Sequence, residues 1–161
     1  MSSEFEVRPA GAADRAALAR LMAELQEVER ALEADRAPGP EMAESHLAFL
    51  EAEAAAHDGF VLVAARGPDV LGFVIGWIEH EMGTFIRADE RRHGRVTDLC
   101  VDPRARGAGV GRALMAAADA HFQKLGVAVV KLVALEVNHA ARAFYAAVGY
   151  DDHEVILRKR L

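Results

Sequence analysis

The chain has 161 residues, 52% hydrophobic and 27% charged, with a net charge of -6. That mixture fits one folded domain with a real core and excludes a disordered chain. No apolar run approaches the ~20 residues that span a bilayer, and the acid excess argues against nucleic acid as the main partner.

The opening "MSSEFEVRPAG" lacks the basic-then-apolar order of a secretory leader. The single cysteine, Cys100, leaves no internal disulfide and points to a reducing, cytoplasmic setting. "EFEVRPA" (4–10) reads as a short first strand that Pro9 ends. In "AADRAALARLMAELQEVERALEAD" (12–35), Leu18, Leu21, Met22, Leu25, Val28 and Leu32 recur at helical spacing. "APGP" (37–40) breaks that helix, and "EMAESHLAFLEAEAAAHDG" (41–59) reads as a second one closed by Gly59.

The texture then becomes β-branched and aromatic. "FVLVAAR" (60–66) and "VLGFVIGWIEH" (70–80), joined by "GPD", read as a hairpin. "EMGTFIRADERRHG" (81–94) is polar and reads as a loop, and "RVTDLCV" (95–101) as a strand stopped by "DP". Leu114, Met115, Ala118, Phe122 and Leu125 line one face of a helix that Gly126 closes. "VVKLVALEV" (129–137) reads as a strand, "HAARAFYAAV" (139–148) as a short helix capped by Gly149, and "HEVILRK" (153–159) as a last strand. The order β-α-α-β-β-β-α-β-α-β allows a right-handed crossover between parallel strands at 95–101 and 129–137. The hairpin strands are antiparallel, so the expected sheet is mixed, with helices on its faces.

"VDPRARGAGVGRALM" (101–115) places three glycines where a strand hands over to a helix. Such a turn leaves backbone N–H groups unpaired, and the helix dipole adds positive potential. Glycines allow positive φ and close approach, and Arg106 and Arg112 add charge on either side. Arg106, Gly107, Ala108, Gly109, Val110, Gly111 and Arg112 therefore form a candidate pyrophosphate cradle. A Walker A loop would need Lys and Ser/Thr after Gly111, where Arg112 and Ala113 stand. A dinucleotide fingerprint would need glycine where Arg112 stands, which weakens a reading as an NAD-binding enzyme.

"VTDLCVDPRARGAGVGRALM" (96–115) resembles the acetyl-CoA-binding motif of the GNAT superfamily of N-acetyltransferases, and "LEVNHAARAFYAAVGY" (135–150) is similar to the family's second signature. The resemblance implies a GNAT-like α/β fold: a mixed, mostly antiparallel sheet with a central splayed parallel strand pair and helices on both faces. It implies one N-acetyltransferase domain over 1–161, acetyl-CoA as cosubstrate and no metal. It also implies direct transfer in a ternary complex to a small-molecule or peptide primary amine, with no nucleic acid or membrane partner, and a homodimer. A non-catalytic acyl-CoA-binding or sensor domain with the same cradle is the competing reading.

By the same resemblance, the backbone of Leu99, Cys100 and Val101 pairs with the pantetheine arm, which requires the parallel strands to splay near residue 99; a bulge would do this. Asn138 contacts that arm, although its position also suits a helix N-cap. Tyr145 matches the tyrosine that protonates the departing thiolate, or else packs with Phe144 against the sheet. An amine with pKa ~10 loses about 4 kcal/mol of reactive population at pH 7, so a base helps. Relatives carry Glu near Thr97; here Asp98 and Glu79 are the candidate catalytic carboxylates, with His80 beside them. Alternation along a strand implies that Thr97 and Asp98 face opposite ways. Cys100 in "DLCV" reads as a buried small hydrophobe rather than a nucleophile. His93, with Arg87, Arg91, Arg92 and Arg95 beside Asp89 and Glu90, lines a substrate mouth, meets an anionic group, or forms a solvated face. Trp77 and Met82 are candidate pocket walls, with core packing as the other account of Trp77.

Overall fold

The computed structural model describes residues 5–161. Glu4, the first residue of the expected opening strand, lies outside them. Strands β1 (Glu6–Pro9), β2 (Phe60–Arg66), β3 (Asp69–His80), β4 (Arg92–Val101) and β5 (Val130–Lys131) form one sheet in that order. The first three pairings are antiparallel and β4–β5 is parallel. The mixed, mostly antiparallel sheet is therefore as the sequence implies.

Period-two alternation along β3 divides two cores. Phe73, Ile75 and Trp77 pack with Leu18, Leu21 and Met22 of α1 (Arg15–Leu32) and Leu47 and Leu50 of α2 (Gly39–Ala56). Val74 and Ile78 face the other way, onto Leu114, Met115, Ala118 and Phe122 of α3 (Val110–Lys124), with Phe144 and Tyr145 of α4 (His139–Ala147) at its margin. Helices thus cover both faces. No helix among the described residues is long and apolar enough to cross a membrane.

Several element bounds differ from expectation. The helices break before Gly39 as expected, but Gly39 and Pro40 already belong to α2, because proline in a first helical turn loses no intrahelical hydrogen bond. The Gly39 amide donates to Glu27 Oε1 at 2.6 Å, pinning that start to α1. β4 begins at Arg92, three residues early, so His93 is a buried strand residue. The expected strand over 129–137 shrinks to Val130–Lys131, and 153–159 forms none. Val155, Ile156 and Leu157 stand exposed, because strand propensity needs a neighbouring ladder and two rungs of β5 offer none. Arg158 holds the tail to Glu33 and Asp35 at 3.1 and 3.2 Å.

Candidate active site

β4 and β5 are paired only at Gly94–Val130 and Arg95–Lys131. Beyond Arg95 the outer edge of β4 has no strand partner among the described residues, which makes an open V. On the other edge, Ile75 pairs with Asp98 and Gly76 with Val96, so Thr97 is the extra residue of a bulge. The expected splay and bulge are present, the bulge two residues before Leu99. The bulge also interrupts the two-residue alternation of β4. Val96 packs in the α3 core, whereas Asp98, opposite Ile75, belongs to the α1/α2 face. Thr97 sits between them, its Oγ1 donating to the Ile75 carbonyl at 3.3 Å.

A cavity of about 570 Å³ opens beside the end of β4. Leu99, Cys100, Val101 and Arg106 line it from the strand side, and Arg20 and Glu24 from α1. Asp102, the residue after β4, is 2% exposed and holds the lining residue Arg20 in place. That carboxylate accepts from the Arg104 amide at 2.9 Å and pairs with Arg104 at 2.7 Å and Arg20 at 3.2 Å. The hydrogen bonds, led by the Arg104 side chain, hold it well below the usual carboxylate range.

A 3₁₀ turn, Pro103–Ala105, leads from there to the glycines. Gly107 and Gly109 have φ of 77° and 81°, the left-handed region, with open space where a Cβ would stand. Ala113 donates the first internal hydrogen bond of α3, to Gly109 O at 3.0 Å. The amides of Val110, Gly111 and Arg112 thus have no helical acceptor. Gly111 has a different cause: a Cβ there would lie 3.2 Å from Phe144 Cζ. Exposed amides, a dipole end and flanking arginines match the donor set that a diphosphate takes.

On α4, Asn138 Oδ1 accepts from the Ala141 amide at 3.1 Å, the N-cap geometry. Tyr145 is half-buried between Phe144 and Tyr150, with ring centroids at 5.4 and 5.8 Å. Burial pushes its phenol up to about 12, and the Asp98 and Glu29 charges add to this. Asp98 is itself pushed up by burial, while Thr97, His46 and Arg95 oppose and Glu29 reinforces the rise. Tyr145 and Asp98 therefore share one electrostatic neighbourhood.

Cys100 is 6% exposed, its Sγ donating to Leu21 O at 3.4 Å, and burial raises the thiol to about 12. Glu79 lies apart, opposite His93 with 3.6 Å between Oε2 and Nε2. Trp77 is in the core, and Met82 is 84% exposed. Glu24 and Glu29 escaped the sequence reading, since helical periodicity reports the apolar stripe and not what a helix turns toward a strand end.

Residues 21–150 match the model of the Acetyltransferase (GNAT) family, and the chain belongs to that family. It is 30% identical over 148 residues to YhfO of Bacillus subtilis, an uncharacterized N-acetyltransferase, covering 92% of this chain and 91% of that one. It is 37% identical over 97 residues to the mycothiol acetyltransferase of Amycolatopsis mediterranei, covering 60% of this chain. The match spans about a third (31%) of that relative's length. The fold is similar to that of the BH1408 protein of Bacillus halodurans, with a TM-score of 0.82, 22% identity and coverage of 97% and 99%. The family is one of acetyltransferases, and membership implies acetyl-CoA as the acyl donor.

Proposed function

We propose that the protein moves an acetyl group from acetyl-CoA to a primary amine by direct attack in a ternary complex. One observation carries the reading: unpaired amides at the start of α3 stand next to the open edge of β4 and the cavity of about 570 Å³. The amides of Gly107, Gly109, Val110, Gly111 and Arg112 would hold the diphosphate, with Arg106 and Arg112 beside it, whereas the expected Ala108 amide already donates to Ala105 O at 3.4 Å. The main chain of Leu99, Cys100 and Val101 would pair with the pantetheine arm. Asn138 keeps Oδ1 for its cap and offers Nδ2 to the same arm.

Acetyl-CoA, when bound, supplies an acetyl group activated as a thioester. The base role goes to Asp98, which the bulge turns to the α1/α2 face and whose affinity for a proton burial raises. Tyr145 keeps its proton at Oη and is the acid for the leaving group. Glu79, paired with His93 five residues along β4, is a less direct candidate. The Cys100 thiol stays protonated, which supports direct transfer over an acyl-enzyme.

Thiol release from acetyl-CoA is measured with and without a panel of amines. Amine-dependent release is expected. Coenzyme A binding without release for any amine would instead favour the acyl-CoA sensor.

A further inference from the structure

Arg95 occupies the last closed rung of the β4–β5 pair, opposite Lys131, at the vertex of the open V. The other cations nearby are engaged. Lys131 Nζ meets Glu81 Oε1 at 2.7 Å, and Arg87 meets Asp89 at 2.6 Å. Arg91 Nε donates to Ile86 O at 2.8 Å and Arg92 Nη1 to Leu125 O at 2.6 Å. Arg95 has no hydrogen bond or ion pair through its side chain among the described residues, and its Nε is buried without an acceptor. A guanidinium N–H shut away from water without a partner is costly.

Pairing with Trp77 puts the Arg95 side chain on the α1/α2 face, the face that Asp98 joins after the bulge. The two stand three positions apart along β4, roughly 10 Å of strand. No ion pair joins them, and Glu29, the other carboxylate near Asp98, is committed to Arg36 at 3.2 Å. The vertex thus presents an unneutralised cation within one acceptor's length of the carboxylate.

We propose that Arg95 recognises the acceptor, and that the acceptor is an amine with a free carboxylate: an amino acid or short peptide. This rests on the reading that the amine meets Asp98. The guanidinium fork matches a carboxylate, which takes two parallel N–H bonds. A polyamine would instead bring a second cation against Arg95.

The test is kcat/KM for matched acceptors: amino acids and dipeptides against their decarboxylated or C-terminally amidated counterparts, with a phosphate-bearing amine as a third arm. The carboxylate-bearing member is expected to win by about tenfold or more, mainly through KM, the scale of a charge-assisted bond. Arg95→Gln is expected to bring the ratio near one. Arg95→Lys, which keeps the charge without the fork, is expected to leave it in between and serves if the glutamine variant does not fold. Equal or better use of the decarboxylated amines by the unaltered protein would overturn the proposal. So would a ratio that survives Arg95→Gln, or a preference for the phosphate-bearing amine. Coenzyme A binding with no turnover of any panel member would overturn this proposal as well, whereas absence of coenzyme A binding would bring down the acetyltransferase reading beneath it.

Discussion

The ring edge of Phe144 lies 3.2 Å from the point where a side chain on Gly111 would begin. This contact joins the first turn of α3 to α4, and so ties the candidate diphosphate cradle to the helix that carries Tyr145. Gly111→Ala gains about 1 kcal/mol of helix propensity and loses a similar amount to crowding, of order 1 kcal/mol. Its stability to urea is expected to change little, while kcat falls as α4 shifts. Gly109 obeys a different rule. Its Cβ would meet nothing, but its φ is 81°, so Gly109→Ala is expected to cost about 1–2 kcal/mol. Gly109→Asn, which tolerates that region, is expected to cost less. Urea melts of the three variants separate crowding from strain.

In the proposed mechanism Tyr145 and Asp98 divide the proton transfers. Tyr145→Phe is expected to lower kcat by about 10²–10⁴. The same change is expected to leave the dissociation constant of coenzyme A within about threefold, since uniform binding is untouched. Calorimetry and single-turnover kinetics check the two halves. Unchanged turnover would remove the acid role.

Asp98 ionises above its ordinary value of 3.8. The rate is therefore expected to climb with pH through the range above that value and then level, and Asp98→Asn is expected to flatten the climb and lower the plateau. Stability has the opposite sign. Between the ordinary and the raised value the folded protein binds a proton that the unfolded chain releases, so rising pH destabilises the fold there. At neutral pH Asp98→Asn is expected to be at least as stable as the unaltered protein. Urea melts beside the pH–rate profile test both signs.

Asp102 has its carboxyl held low by Arg104 and Arg20. Its contribution is present above the unfolded value and is lost as pH falls below that toward the depressed folded value. Asp102→Asn is expected to cost about 1–3 kcal/mol at pH 7, the worth of hydrogen bonds to a charged group. The difference from the unaltered protein is expected to shrink under strongly acidic conditions. Denaturation at neutral and acid pH measures it.

Cys100, buried and raised to about 12, stays a thiol at every working pH. Cys100→Ala is expected to keep turnover within a few-fold, and alkylation of the folded protein at pH 8 is expected to be slow. Loss of activity with a trapped acetyl-cysteine would instead mean an acyl-enzyme.

The periodic parts of the chain were legible in its residues. Leu18, Leu21 and Met22 face the core as spaced, and Leu114, Met115, Ala118 and Phe122 do the same on α3. The glycine doorway was legible too, since positive φ at Gly107 and Gly109 is a local demand. Register was not. Thr97 carries no mark of the bulge, yet that one inserted residue turns Asp98 to the α1/α2 face. Nor was partner availability: 153–159 has a strand's composition but finds no ladder. The isolation of Arg95 is likewise a fact about its neighbours, visible only once Arg87, Arg91 and Arg92 are seen to be taken.

Calorimetric titration with coenzyme A, run beside pantetheine, tests the cradle most directly. Saturable one-to-one heat is expected from coenzyme A. Pantetheine is expected to bind about 100-fold more weakly, because it forgoes charge-assisted bonds of about 1.5–3 kcal/mol each from the amides at the start of α3. Equal affinity for the two, or no heat from coenzyme A, would contradict the account.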